Sequence, residues 1–458
     1  MNKRIESVFQ VILLLLLSGS AFAAEPQNYP DPAKFPLPEA YKPNVEFWLK
    51  VYTEWEENEV AIHDQRHLSI VFDVIDIPDD SNLLSASVKP TVGTRMDTIR
   101  KVLLELHQNS QARERSDDHK KIFDLYKDIS EANKFRNAVD NLRAQQGVKD
   151  RFRDGLGRMT LYIGPIRKVF REEGLPEEIV YLPLVESSFN NLALSKTKAA
   201  GIWQFMPATA RSYMKVNSDL DERLDPIVAS RAAARYLKRS YNMFGTWPLA
   251  LTSYNHGQAG IANAIRSTGT TDFMTIYQRY QGKGFKVASK NFYAEFLAAY
   301  RAMKEAEKHF GAIDYAKPRI SNSVRLATPL WASALLSHSG LTREELRSHN
   351  PALSSHVLYS KRPIPAGYQL RLPDKFSDPG GVVAAVRAKQ KTAPVVAKAA
   401  PPKVAPAAKA ADTYIVRKGD TLYSISKRFA LTVEAIRKLN GLSHSNIFPG
   451  QKLFVGSR

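Results

Sequence analysis

Glu186-Ser187 and, one loop later, Gly201-Ile202-Trp203-Gln204-Phe205-Met206-Pro207 set a lone acid beside a wall of apolar and amide side chains. Upstream, Gly174-Leu175-Pro176-Glu177-Glu178 reads as a helix start: proline suits the first helical position, and the two carboxylates favour the positive end of the dipole. Ile179, Leu182 and Glu186 then share one face. Pro183 must kink or end this helix, which puts Glu186 near a C-terminus among Leu184, Val185 and Phe189. The negative end of the dipole and apolar neighbours both raise the pKa of such a carboxyl. An acid kept protonated near neutral pH can act as a general acid.

Around this stretch, from about 145 to about 308, helical spacing dominates, and Gly and Pro interrupt it at intervals that suit short loops. An all-α domain is expected. On its amino-terminal side, Pro26, Pro30, Pro32, Pro36, Pro38 and Pro43 give an extended start, and Phe47, Trp48, Val51, Tyr52 and Trp55 recur as a core stripe. Residues 68–77 predict one strand, and 97–141 is charged and helical in pattern. His63 and His67 stand at i and i+4 near Asp64 and Asp73, a spacing that can hold a metal. Without a helix-borne glutamate base or a third placed ligand the structural reading is preferred, and no metal site is assigned.

Towards the carboxy terminus, 318–373 has short apolar runs around Leu341-Thr342-Arg343-Glu344-Glu345-Leu346 and Asn350-Pro351, and it ends in Tyr368-Gln369-Leu370-Arg371-Leu372-Pro373. It reads as strand, helix, helix, strand. Residues 376–411 are rich in Ala, Pro, Val and Lys, with no acid from 380 to 411, and predict a semi-extended basic linker. A last compact unit, 412–456, has Tyr414-Ile415-Val416, Gly419-Asp420, two amphipathic stretches and Lys452-Leu453-Phe454-Val455.

With 458 residues and 44% hydrophobic content the chain can bury a large core. Lys3 and Arg4, the apolar run 11–17 and Ala21-Phe22-Ala23-Ala24 predict a secretory signal over 1–23. The expected place is therefore the periplasm or cell envelope, with no transmembrane segment, since no later stretch reaches the roughly 18 apolar residues a span needs. No cysteine is present, which excludes disulfides, thiol catalysis, zinc-thiolate sites and a lipid-modified cysteine, so anchoring is expected to be noncovalent. The net charge of +19 raises nucleic acid as a partner, but export and the lack of a nucleic-acid motif argue for an anionic envelope polymer, or for a merely solvated surface.

Glu186-Ser187, Gly201 to Pro207 and Ser253-Tyr254-Asn255, in that order, resemble the lytic transglycosylases with a goose-lysozyme-like fold over roughly 140–310. Leu182-Pro183-Leu184-Val185, the Phe205-Met206-Pro207 extension and the last module resemble the subfamily called membrane-bound lytic transglycosylase D. The resemblance implies a mainly α protein, with a mostly helical region over 24–140 and a lysozyme-like catalytic domain over 141–315. It implies Glu186 as sole acid/base, with Ser187, Gln204, Tyr254 and Asn255 lining a saccharide cleft and no cofactor. Trp203, Phe205 and Met206 offer apolar faces to a pyranose, two of the three being expected in ordinary core. Ser253 stands where the family usually has Ala. Phe292 falls where a later family motif has a tyrosine near the acid, so the adjacent Tyr293 is the expected substitute.

Residues 414–456 are similar to the LysM module, which implies a small βααβ fold that binds N-acetylglucosamine-containing chains, here through Gly419, Asp420, Thr421, Asn440, Pro449 and Gly450. The unit at 318–375 resembles a LysM that has lost Gly-Asp-Thr, and a structural role is expected for it.

Most glycosidases use two acids. Asp221, Glu222 and Asp225 are the candidates here, but Asp225-Pro226 before an apolar helical run reads as a cap. A lone acid needs a substrate that carries its own nucleophile, such as the N-acetyl group of muramic acid. The resemblance implies peptidoglycan glycan strands as substrate. It further implies that Glu186 protonates the glycosidic oxygen and then takes the muramyl C6 hydroxyl proton, closing a 1,6-anhydro ring. His256 is discounted as a base, because the family mechanism needs none. A lysozyme-type hydrolase on the same fold and a noncatalytic wall-binding protein stay as alternatives, and the sequence names no protein partner.

Overall fold

The computed structural model describes residues 28–78, 83, 85, 87–392, 413–417, 420–429, 431–442, 447, 448 and 450–455. The signal sequence expected over 1–23 lies outside them. Helix α1 (Lys42–Thr53) carries Pro43 in its first turn and Lys50 in its last, as a fixed φ and the helix dipole favour. Its buried Val45, Leu49 and Tyr52 face the long helix α13 (Val287–Lys304). Strands β1 (Glu59–Asp64) and β2 (His67–Asp76) form an antiparallel hairpin, and β3 (Leu142–Gln146) pairs with the other edge of β1. Val60 and Ile62 point to helices α2 (Val88–Gln108), α3 (Asp117–Leu125) and α4 (Lys134–Asn141), while Ala61 packs on the α1 side. β1 is thus covered on both faces.

Within 24–140 the described residues hold α1 to α4 and the strand expected at 68–77, but β1 within it and β3 just beyond it were not foreseen. β1 is short, and β3 is polar apart from Leu142 and Ala144, so neither shows a clear alternation in the sequence. His63 and His67 straddle the hairpin turn rather than share a helix face. The His63 ring packs 4.6 Å from the Phe47 ring, burial pushes its imidazole down to about 4, and His67 meets Glu131. Among the described residues no group of three metal-ligating side chains forms.

Helices α5 (Lys149–Met159) and α6 (Ile163–Glu173) lead into a 3-10 turn, Glu177–Tyr181, and the five-residue α7 (Pro183–Ser187). This corrects the expectation of one helix running from Pro176 to a break at Pro183. Pro176 stays extended, and Pro183 opens α7, where its missing N–H costs nothing. The bundle continues through α8 (Pro207–Ala210), α9 (Pro226–Phe244), α10 (Trp247–His256), α11 (Gln258–Thr268), α12 (Phe273–Arg279), α13 and α14 (Ala306–Phe310).

At the centre lies α13, apolar almost all round, as a helix enclosed by others must be. The core it anchors also includes Phe35, Tyr41, Val45 and Phe47. The Tyr41 hydroxyl donates to Lys290 O (2.7 Å), and Asn44 bonds Asn291 (2.7 Å). A boundary at 140 therefore does not describe the packing: the segment around α1 belongs to the same core as α5 to α13.

Beyond 318, β4 (Ser321–Arg325) and β5 (Gln369–Pro373) pair antiparallel around α15 (Ala332–Ser339), α16 (Arg343–His349) and the short α17 (Ser355–Leu358). Their core, with Leu335, Leu346 and Leu370, also takes in Leu220 from the helical domain. The linker expected from 376 is corrected at its start. α18 (Pro379–Thr392) is helix, and its Val383 and Val386 are buried in that core. Four residues apart would be one stripe; three apart is the other helical neighbour spacing, hidden here in a low-complexity run. Residues 393–412 lie outside the described residues.

The second unit runs from β6 (Thr413–Ile415) through α19 (Leu422–Arg428) and α20 (Val433–Leu439) to β7 (Lys452–Phe454), a βααβ arrangement with β6 antiparallel to β7. Tyr414, Leu422, Ile425, Ile436 and Leu453 form its core. No helix among the described residues is long and apolar enough to cross a membrane.

Candidate active site

Glu186 is half-buried in the first turn of α7, a helix so short that its dipole has no separate ends to oppose. The helix dipole therefore does not raise the Glu186 carboxyl as a C-terminal position would. Burial alone pushes the carboxyl up to about 8, and among the described residues no Lys or Arg pairs with it. The chain leaves α7 through two left-handed residues, Ser188 (φ 48°) and Phe189 (φ 55°). Such geometry in non-glycine residues stores strain and persists where packing holds it, here by the fully buried Phe189 ring.

The loop 198–207 is held by side chains that bond its backbone. Ser187 Oγ donates to Ile202 O (2.9 Å), Tyr254 Oη to Trp203 O (2.8 Å), and Gln204 Nε2 to Gly201 O (2.8 Å). Buried Arg223 donates to Lys198 O (2.7 Å) and Phe205 O (3.0 Å) while paired with Asp221 (2.7 Å). Gly201 sits at φ 78°, where a Cβ would stand 1.8 Å from Arg223 O. Gln204 is itself left-handed, at φ 46°.

Of the apolar residues in this loop, Trp203 and Phe205 are core, with Trp203 Nε1 donating to Ser230 Oγ (2.7 Å). Met206 is 43% exposed and presents its face outward. On α10, Asn255 is exposed and accepts from Ser289 Oγ (2.7 Å), and no described residue takes the protons of its amide. Tyr254 stacks on Phe292, with ring centroids 6.4 Å apart. Burial and the nearby Glu186 raise its hydroxyl well above the usual range, so it stays a neutral donor.

Tyr293 does not join them, which corrects the sequence assignment. It is fully buried, its hydroxyl donates to Pro36 O (2.8 Å), and its ring stacks on Tyr41. Consecutive helical residues point about 100° apart, so only Phe292 faces Tyr254. Asp225 is the cap of α9, accepting from Ile227 N (3.0 Å) and Val228 N (3.1 Å). Asp221 holds Arg223, and Glu222 accepts from Lys215 N (2.7 Å). His256 packs on Phe285 and Tyr280, and burial lowers its pKa.

Two residues that sequence reasoning passed over matter here. Arg223 has no motif of its own, although its pairing with Asp221 at i−2 was readable in hindsight of the loop it holds. Glu295, on α13, lies within electrostatic reach of Glu186, and burial followed by that neighbour pushes its carboxyl up to about 8.

Residues 166–276 match the transglycosylase SLT domain model. The chain carries an SLT transglycosylase domain. It is 27% identical over 333 residues to membrane-bound lytic murein transglycosylase D of Escherichia coli K12, a match covering 69% of each chain. Residues 414–456 match the LysM domain model, and 43 residues are 54% identical to N-acetylmuramoyl-L-alanine amidase sle1 of Staphylococcus saprophyticus, covering 9% of this chain and 13% of that one. The protein is a peptidoglycan lytic transglycosylase whose SLT domain is followed by a LysM domain.

Within the LysM domain, the residues expected to bind glycan are largely occupied in holding the fold. Asp420 accepts from Tyr414 Oη (2.7 Å) and Arg417 N (2.7 Å), and Thr421 Oγ1 accepts from Ser424 N (3.0 Å). Asn440 donates to Ile436 O and Phe454 O (both 2.8 Å) and accepts from Phe454 N (2.7 Å). Gly450 is left-handed at φ 86° and donates to Val416 O (2.7 Å). Gly419 and Pro449 lie outside the described residues. In the unit at 321–373, Asn350 repeats the Asn440 pattern: it bonds Leu346 O (2.9 Å), Arg371 O (2.7 Å) and Arg371 N (2.9 Å).

Proposed function

We propose that Glu186 of this lytic transglycosylase is its only proton donor and acceptor, and that cleavage between muramic acid and N-acetylglucosamine residues ends in a 1,6-anhydro ring. The observation that carries this is a half-buried carboxyl with no cation partner, pushed up to about 8 by burial and therefore mostly protonated at neutral pH. Glu186 gives its proton to the glycosidic oxygen as the bond to the muramyl C1 breaks. The substrate's own acetamido group stabilises C1, as in substrate-assisted glycosidases. The Glu186 carboxylate then takes the proton of the C6 hydroxyl, whose oxygen closes on C1.

The neighbours fit that sequence of events. The Asn255 amide protons can hold the acetamido oxygen, and the exposed Met206 offers an apolar face to a sugar ring. Ser187, Gln204 and Tyr254 fix the loop that carries Met206. A hydrolytic reading needs a second carboxylate to activate water, and Glu295 is the candidate by position. A carboxyl pushed up to about 8 with no cation to hold its anion is a poor base at neutral pH, which favours ring closure over hydrolysis. The match to envelope enzymes and the amino-terminal pattern support export to the cell envelope.

The test is Glu186→Gln, nearly isosteric and unable to cycle a proton. It is expected to keep the far-ultraviolet circular dichroism of the wild type and to lose glycan cleavage. Cleavage at more than a few per cent of the wild-type rate would move the role to another group.

A further inference from the structure

A cavity of about 890 Å³ lies between the sheet and the start of α13. Pockets that hold a ligand span about 300–1,000 Å³. Its walls are the β1–β2 turn with Arg66, Arg143 of β3, and the corner from α12 to α13 with Gln278, Gln281, Lys286 and Lys290. Cations prevail there. Glu131 is the one carboxylate on these walls, and it is spent on Arg66, His67 Nε2 (3.3 Å) and Asn137 Nδ2 (3.2 Å).

The other cations of the cavity have no such partner. Arg143 gives its guanidinium to backbone carbonyls, Leu142 O at 2.7 Å and Asp140 O at 3.4 Å. Among the described residues no Asp or Glu lies within ion-pair distance of Arg143, Lys286 or Lys290. The acids nearby in sequence are engaged elsewhere: Asp64 accepts from Tyr126 Oη (2.9 Å), Asp140 pairs with Arg136 (3.3 Å), and Asp272 caps α12. Lys290 is half-buried, its ammonium 5.8 Å from the Tyr277 ring centroid and 6.0 Å from that of Phe285. Burial pushes it below the ordinary lysine value, a cost that an anion in the cavity offsets.

The cavity adjoins the site. Ser289, the residue before Lys290, donates to Asn255 Oδ1 (2.7 Å), and Phe285, on the cavity wall, packs 5.1 Å from the His256 ring. We propose that this cavity binds the acidic peptide arm of the peptidoglycan strand, with Lys286, Lys290 and Arg143 holding its carboxylates and the exposed Gln278 and Gln281 its peptide groups. This rests on the reading that Asn255 holds the muramyl acetamido group. The arm leaves that same sugar through the lactyl ether on O3, next to the acetamido-bearing C2, so a ring held at Asn255 sends its peptide out beside it. An extended peptide advances about 3.3 Å per residue, so a few residues carry it from Asn255 past Ser289 to the lysines. Ammonium and guanidinium groups bind carboxylates through charge-assisted hydrogen bonds, and a glutamine amide both donates and accepts, as a peptide group requires.

The experiment compares soluble uncross-linked glycan chains that carry their peptide arms with the same chains stripped of arms by an amidase. The full-length wild type and the Lys286→Gln/Lys290→Met double variant are assayed on both, with melting temperatures as a check of folding. On armed chains the double variant is expected to raise KM about tenfold with kcat within about twofold, the mark of lost binding, and on stripped chains to match the wild type. An unchanged KM on armed chains, or an equal loss on both substrates, overturns the proposal. Free peptide arms give a second reading if stripped chains are cleaved too slowly to measure: they should compete in the wild type and not in the variant, and no competition in the wild type overturns the proposal. Lys286→Gln/Arg143→Gln, at two exposed positions, replaces the double variant if Lys290→Met lowers the melting temperature. Asn255→Ala separates the two readings, because wild-type rates there on both substrates sink the assignment of Asn255, whereas loss there with an unmoved lysine variant sinks the arm site alone.

Discussion

Asp225 and Arg371 join the SLT domain to the unit that follows it. One carboxylate oxygen of Asp225 caps α9, and the other holds the Arg371 guanidinium on β5, with the two side chains 2% and 18% exposed. Beside them, Leu220 bridges to Leu353, and Arg362 pairs with Asp219 (2.9 Å). The unit at 321–373 is thereby fixed to the SLT domain. Removing one partner of a buried pair strands the other, so Arg371→Met should lower stability by about 3 kcal/mol. Asp225→Asn keeps an oxygen to cap α9 but leaves the buried Arg371 guanidinium without its anion, so it should cost a comparable amount. Urea unfolding measures both, and an Arg371→Met curve that overlays the wild type would show that the pair is ornamental.

Glu186→Gln should also stabilise the fold in a pH-dependent way. The folded carboxyl titrates at about 8, whereas an unfolded glutamate titrates at about 4.3. Between these values the native state holds the extra proton, so wild-type stability falls as pH rises through the window. The variant lacks this loss. Its advantage should be small at pH 4, grow to the order of 1–3 kcal/mol and level off above pH 8. Parallel melting-temperature curves from pH 4 to 9 would mean that burial does not raise this carboxyl.

Gly201→Ala should damage the site without touching a reacting group. The new methyl would meet Arg223 O at 1.8 Å in a left-handed backbone, so the loop must move away from Arg223 and take Gln204 and Met206 with it. Cleavage of soluble glycan should fall at least about tenfold, the equivalent of roughly 1.4 kcal/mol in the barrier. A wild-type rate would mean that the position of this loop is not critical.

Deleting residues 412–458 should weaken pelleting with insoluble wall and leave turnover of short soluble fragments nearly unchanged. The LysM domain has a core of its own, so its loss leaves the other cores intact. A tethered binding module raises local substrate concentration without entering the chemistry. The basic stretch before it adds attraction that fades as salt shortens the Debye length below about 8 Å. Equal pelleting of both proteins would exclude the module as an anchor.

What the sequence makes legible is contiguous. Glu186, the loop from Gly201 to Pro207 and Tyr254-Asn255 each sit in a short run whose residue types state their chemistry, and the two βααβ patterns show in apolar spacing. Long-range packing leaves no such trace. Glu295 reads as one polar residue on an apolar helix until α13 is laid against α7. Tyr293 was assigned by adjacency to Phe292, but one step along a helix turns a side chain away from its neighbour's face. α1 looks like part of a separate region because nothing in its stripe says which core it fills. The Pro183 error was of another kind, since proline both ends and starts helices, and the sequence alone does not choose.

The central claim is that one carboxyl drives cleavage without consuming water. Wall sacculi digested by the purified protein in heavy-oxygen water, followed by mass analysis of the released muropeptides, test it most directly. Ring closure predicts muramyl ends that are one water lighter than reducing ends and that take up no heavy oxygen. Reducing ends that carry the label would contradict the account and make the enzyme a hydrolase.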